Sequence, residues 1–203
     1  MVRNGNFRLT DEVLDAGGGQ ASGQLFLAAY AGKVVNVDND VASLAKTKEM
    51  YAGFKKFQKV ELVEGDLKDL SMFPDGRFDK VVCISVLEHD PDYMLILKEL
   101  WRVLKPGGRL LVTMDVATFS ASDHLITDRE AARILCLFGM DTLPPIPEDA
   151  IVCQAPSDAS PEGILLAYGI PNRGKMIRKI FETEVDVGFY CLKVLCFFAD
   201  KME

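Results

Sequence analysis

The chain has 203 residues, 49% hydrophobic and 26% charged, with a formal net charge of −7. That balance fits one globular α/β domain of ordinary composition. It excludes a nucleic-acid-coating role, which needs a basic face. Five cysteines (Cys83, Cys136, Cys153, Cys191, Cys196) are scattered with no C-x-x-C pair, so they read as reduced core or strand residues. The first residues are polar rather than an apolar leader, and no apolar run reaches the ~18–20 residues of a membrane span. A cytoplasmic location with no membrane and no nucleic-acid partner is the expectation.

Residues 1–11 read as an N-terminal arm that is mobile or folds over the site. Glu12 to Asp15 is the first strand, Gln20 to Tyr30 the first helix, and Gly32 closes it. Lys33 to Asp38 is a β-branched second strand; Asn39 or Asp40 caps a helix running to about Met50. Lys59 to Glu64 is the third strand, ended by Gly65-Asp66. Phe78 to Ile84 is the fourth, and its continuous apolar run predicts burial on both faces. Asp92 to Leu104 has apolar residues at helical spacing, Lys105-Pro106-Gly107-Gly108 is a stop-and-turn signal, and Arg109 to Met114 is the fifth strand.

The last third is less regular. Thr127 or Asp128 caps a helix to Phe138, Pro144 to Pro147 is a stiff connector, and Pro156 to Gly163 an exposed loop. Gly174 to Phe181 reads as a short basic helix. Arg173, Lys175, Arg178 and Lys179 read as the only dense basic cluster and as a solvated face. Glu184 to Tyr190 and Leu192 to Ala199 form a hairpin-like finish. Repeated strand–helix alternation predicts a doubly wound, mostly parallel sheet with helices on both faces. Ligands bind such sheets at the carboxyl ends of the strands, near the switch point. The expected organisation is a single domain over 1–203, with a cofactor-binding half at 12–115 and a substrate side with C-terminal strands at 116–203.

The chemistry is carried by Val13-Leu14-Asp15-Ala16-Gly17-Gly18-Gly19, an apolar strand, an acid and a glycine turn before a helix. Glycines let backbone pass close to a ligand at a helix N-terminus. The dinucleotide pattern G-x-G-x-x-G fails: from Gly17 its third glycine falls on Ser22, and from Gly19 its second falls on Ala21. No Gly-Lys-Ser/Thr follows for a phosphate loop, and Asp15 would repel a pyrophosphate. The turn suits a ligand with an ammonium or sulfonium and no phosphate.

This turn resembles the first motif of class I S-adenosylmethionine-dependent methyltransferases, acid-x-Gly-x-Gly-x-Gly, with Ala21 in place of the third glycine. Phe78 to Val82, Leu87-Glu88-His89-Asp90-Pro91-Asp92 and Arg102 to Gly108 resemble later motifs of the family, so the likeness covers residues 12–115. It implies a seven-stranded Rossmann-like sheet and S-adenosylmethionine as cofactor. Gly17, Gly18 and Gly19 would pass under the methionine part, with Asp15 near its amino group. Asp38 would take the ribose hydroxyls, Asn39 would flank the adenine, Asp66 would accept from the adenine amino group, and the Leu67 amide would meet a ring nitrogen. Ile84 and Ser85 complete the cofactor side at the end of the fourth strand.

A sulfonium methyl is already activated, so in-line placement of a nucleophile does most of the work. Glu88, His89 and His124 are the candidate bases for a hydroxyl acceptor. Leu87-Glu88-His89 also resembles the ubiquinone-pathway O-methyltransferases, whose segment helps bind a divalent metal. The acid three residues before Glu88 in that group is Ser85 here, and no metal is expected. The Asn/Asp-Pro-Pro-Tyr/Phe segment of amino-methylating branches is absent, Ile84-Ser85-Val86-Leu87 standing in its place.

The function expected is methyl transfer to a small molecule, with segments 116–127 and 141–175 setting specificity. The alternative is a non-catalytic cofactor- or partner-binding protein that keeps the fold; a nicotinamide dehydrogenase has the right fold and the wrong turn. A homodimer is compatible with the sequence, though nothing in it demands one.

Overall fold

A computed structural model describes residues 5–20, 23–117, 126–140, 152–154, 164–166 and 192–202. In chain order the elements are β1 (Glu12–Ala16), α1 (Gly23–Tyr30), β2 (Lys33–Asp38), α2 (Val41–Tyr51), a 3-10 turn (Lys55–Lys59), β3 (Val60–Glu64) and β4 (Phe78–Ile84). A second 3-10 turn (Leu87–His89) follows, then α3 (Tyr93–Val103), β5 (Leu104–Ala117), α4 (Asp128–Leu137), β6 (Val152–Gln154), β7 (Ile164–Leu166) and β8 (Leu192–Asp200).

The main sheet has six strands in the order β3-β2-β1-β4-β5-β8. β1 lies parallel between β2 and β4, with Leu14 opposite both Val35 and Val81. The chain winds outward from β1 to β3, then crosses back to place β4 on the other side of β1. The ends of β1 and β4 are therefore the switch point, where loops diverge and leave a crevice. Val13, Leu14, Val34, Val35, Val81 and Val82 are fully buried, as expected for central parallel strands covered on both faces.

One face buries Leu27 and Ala28 of α1 and the following Ala31 against Val13, Val34, Val82 and Leu111, and Phe7 packs against this cluster. Residues 5–11 are thus tied into the core rather than forming a free arm or a flap over the site. Arg8 and Asp11 close a turn there through the Arg8 amide and the Asp11 carboxylate, 2.8 Å apart. From α3, Ile96, Leu97, Leu100 and Val103 are buried, the stripe that its sequence spacing requires.

One boundary and one pair of strands depart from the sequence reading. Lys105 to Gly108 does not separate helix from strand: α3 passes directly into β5 at Leu104, which pairs with Phe78. A register shift between Phe78 and Lys80 absorbs the extra residues. Gly107 takes φ +74, and Lys201 bonds the Gly107 and Gly108 backbone while its Nζ donates to the Trp101 and Leu104 carbonyls at 2.7 Å. That lysine satisfies carbonyls which the end of α3 leaves without helical partners. β6 and β7 pair as a two-stranded antiparallel sheet that the sequence did not announce.

The seventh strand expected at Glu184 to Tyr190 lies outside the described residues. So do the connector at 144–147, the loop at 156–163, the basic helix at 174–181 and most of the two expected specificity segments. Two compact units are resolved, Met1–Met114 with Cys196–Glu203, and Asp115–Leu195. In the second, Thr127 and Glu130 form a capping box at the start of α4. No described helix is long and apolar enough to cross a membrane.

Candidate functional site

The glycine turn is clamped from two sides. Gly17 (φ +70) donates its amide to the Val37 carbonyl at 2.8 Å, and a Cβ there would lie 2.6 Å from Val86 Cγ2. A Cβ on Gly18 would collide with the side chains of Asp15, Asn36 and Gln24. Only glycine fits between the turn after β4 and this buried polar cluster.

Asp38, at the end of β2, is held by the same turn. Its Oδ2 accepts from the Gly19 amide and its Oδ1 from the Asp40 amide, both at 2.8 Å. The residue that caps α2 is Asp40, through Ala42 and Ser43. Asp38 is therefore oriented without being consumed as a cap, and each oxygen keeps acceptor capacity.

The opposite wall comes from the ends of β3 and β4. Ser85 stands at φ +50, a left-handed backbone unusual for a non-glycine residue. Its amide bonds the Thr113 carbonyl at 2.9 Å and Thr113 Oγ1 at 3.2 Å. That reversal carries Val86 over Gly17. Lys68 and Asp90 pair at 2.9 Å and tie the loop after β3 to the turn after β4. The Lys68 ammonium holds Asp90 below the ordinary carboxylate range. Asp66 accepts from the Lys68 amide.

Together these elements enclose a cavity of about 350 Å³. Of the residues expected at the cofactor, Gly17, Asp38, Asn39, Asp66, Leu67 and Ser85 line it, as does the candidate base His89. Gly18, Gly19 and Ile84 do not reach its wall. Gly19 instead holds Asp38, and Ile84 packs on the α1-side core.

Asp15 lies behind Gly18 rather than on the wall. It is 4% exposed, and Asn36 Nδ2 is 3.3 Å from its Oδ2. Burial pushes its carboxyl up to about 6; the Asn36 and Gln24 side chains pull it down, and the charge of Asp38 raises it. Beside it, Asn36 Oδ1 and Gln24 Oε1 are buried acceptors without a hydrogen-bond donor. Glu88 is fully buried and does not line the cavity. Burial, with the charges of Glu88 and Asp15, pushes the Cys83 thiol well up, so Cys83 is an inert core residue. His124 falls outside the described residues.

Sequence reasoning missed Gly65, Val86, Asp90 and Ile96 on the wall. Gly65 had a signal, a glycine at a strand end, where a Cβ would lie 2.9 Å from Met72 Cε. Ile96 belongs to the buried side of α3 and is both core and wall. Asp90 owes its place to Lys68, 22 residues away, which no local pattern reveals.

Three carboxylates line the cavity and no lysine or arginine does, among the described residues. Such a wall repels phosphate and suits a cationic ligand that offers hydroxyl and amino donors. No described group of His, Cys, Asp and Glu could hold a metal ion.

A methyltransferase-domain family profile matches residues 14–112. A protein of Mycolicibacterium smegmatis named as a probable S-adenosylmethionine-dependent methyltransferase is 36% identical over 110 residues, 54% of this chain and 40% of that protein. The demethylmenaquinone methyltransferase of Anoxybacillus flavithermus is 40% identical over 81 residues, 40% of this chain and 33% of its own length. The chain thus spans less than half the length of these relatives. The crystal structure of the YcgJ protein from Bacillus subtilis superposes with a TM-score of 0.68 at 20% identity, covering 100% of this chain and 97% of that one; it attests the fold. With the glycine turn, the carboxylate at the end of β2 and the cavity they share, these matches identify residues 14–112 as a methyltransferase domain similar to those of S-adenosylmethionine-dependent methyltransferases.

Proposed function

We propose that the chain transfers a methyl group from S-adenosylmethionine to a small-molecule acceptor. The observation that carries this reading is the cavity wall: Asp38, Asp66 and Asp90 over a glycine turn, with no basic side chain. A sulfonium nucleoside is cationic, has no phosphate, and offers two ribose hydroxyls and an amino group. Asp38 would accept from the ribose hydroxyls on the lone pairs that Gly19 and Asp40 leave. Asn39, Asp66 and Leu67 would hold the adenine, and the Gly17 backbone the methionine part, with the charge of Asp15 behind the turn.

The cofactor, when bound, supplies a methyl group already activated by its sulfonium. The protein's own work is to hold the acceptor in line and keep water out. His89 is the base on the wall and would take the proton of a hydroxyl acceptor. Residues from 116 onward would select the acceptor, within one methyltransferase domain. The relative named for demethylmenaquinone supports a small molecule as the acceptor class.

Calorimetric titration with S-adenosylhomocysteine tests the cofactor half; no binding at millimolar ligand overturns the reading. Labelled methyl transfer into a metabolite extract tests the catalytic half. Binding without transfer into any acceptor returns the alternative, a protein that binds the cofactor without using it.

A further inference from the structure

At the end of the sheet opposite the cavity, α2 stops and the chain turns through Ala52-Gly53-Phe54 into the 3-10 turn that feeds β3. This tip is apolar and open: Phe54 is 56% and Met50 55% exposed, and a Cβ on Gly53 would meet nothing within 4 Å. Tyr51 packs its ring on both Phe54 and Phe57, with centroids 5.8 Å apart in each pair, so the three rings form one cluster. Lys59 Nζ bonds the Ala31 carbonyl at 3.0 Å and ties the turn to the end of α1. There Tyr30 is 43% exposed and packs at a tilt against the exposed Phe26, with ring centroids 5.1 Å apart.

Charge surrounds this apolar surface. Residues 46–59 hold Lys46, Lys48, Lys55, Lys56 and Lys59, with Glu49 as the one acid, in a chain whose net charge is −7. The segment is thus a second dense basic cluster, beside the one read at 173–179. Lys46, Lys48, Lys55 and Lys56 are exposed, and none makes an ion pair among the described residues. Exposed aromatic and methionine side chains ringed by unpaired lysines are what an anionic bilayer surface attracts: lysines meet headgroup phosphates while rings enter the acyl boundary. The stretch contains no arginine, the residue that phosphate forks and base stacking favour, which argues against nucleic acid.

We propose that the tip at 50–56 is a peripheral docking surface for anionic lipid. The protein would rest on the bilayer by Met50, Phe54, Lys55 and Lys56 without spanning it. The cavity, at the other end of the strands, would stay open to the aqueous phase. This surface is independent of the methyltransferase reading.

The test is co-sedimentation of the full chain with vesicles of phosphatidylcholine, alone or with about one-third phosphatidylglycerol. Binding is expected only to the anionic vesicles, falling as salt is raised through the range where the Debye length shrinks below about 10 Å. Lys55→Gln with Lys56→Gln should weaken it about tenfold or more, and Phe54→Ser should do so at constant charge. Lys98→Gln, on the exposed side of α3, should leave it nearly unchanged. Far-UV circular dichroism checks that each variant is folded. No binding to anionic vesicles overturns the proposal, and so does binding that the tip variants leave intact. Concentration-dependent self-association abolished by Phe54→Ser, without vesicle binding, would reassign the surface to a second copy of the chain.

Discussion

Replacing Asp15 by Asn should make the protein more stable at neutral pH and a poorer cofactor binder. The carboxyl is sealed behind Gly18 and titrates at about 6 instead of the ordinary 3.8. At 1.36 kcal/mol per pH unit, keeping it ionised costs the native state roughly 3 kcal/mol. The native state holds a proton that the unfolded chain has already lost between about pH 4 and 6. Stability from this group is therefore greatest below pH 4, falls through that window and stays low above it. Asn is near-isosteric and stays neutral, and its amide can donate to the buried oxygens of Asn36 and Gln24 that lack a donor. Urea unfolding at a series of pH values should show the two proteins close at pH 4. The variant should pull ahead by up to roughly 3 kcal/mol at pH 8. Calorimetry at pH 8 should show weaker S-adenosylhomocysteine binding, because the variant has lost a negative charge behind the turn. A stability difference that does not change with pH, or a variant less stable than the parent at pH 8, would refute the burial argument.

Asp38→Ala should lower S-adenosylhomocysteine affinity about 10- to 100-fold, the worth of one or two hydrogen bonds to a charged group, as read by calorimetry. Arg102 donates to Glu99, Asp75 and the carbonyls of Leu70 and Phe73, so it fastens the loop after Asp66 to α3. Arg102→Ala should cost about 2–3 kcal/mol in denaturant unfolding, and Arg102→Lys should recover little of it because one ammonium cannot span those partners. Thr127→Ala removes the capping box of α4 and should cost about 1 kcal/mol of local stability, visible as faster amide exchange in 128–131.

The sequence made the central strands legible because burial on both faces forces an unbroken apolar run. In Phe78–Ile84 that run is Val81 to Ile84, of which Val81, Val82 and Cys83 are fully buried. The wall residues at or just after strand ends, Asp38, Asp66 and Ser85, are legible from the strand-end rule and the family resemblance, since parallel topology brings those ends together. What failed to show depended on partners far along the chain. Lys105 to Gly108 has the local chemistry of a turn, yet Lys201 and the bulge opposite Phe78 draw it into β5. Asp15 reads as a ligand contact until Asn36 and Gln24 close over it. The basic tip escaped notice because its lysines are divided between a helix and a 3-10 turn and look like two ordinary solvated faces.

The contact between Gly17 and Val86 joins the motif that begins the domain to the one that follows its fourth strand. Space missing at one position is filled by the other. The pair therefore behaves as a single volume shared between two distant parts of the gene. A larger residue at 17 could be admitted only with a smaller one at 86, and even then the φ of +70 would resist any side chain. Among descendants of this chain, the two positions should drift together or stand still together, and recombination that separates them should be poorly tolerated.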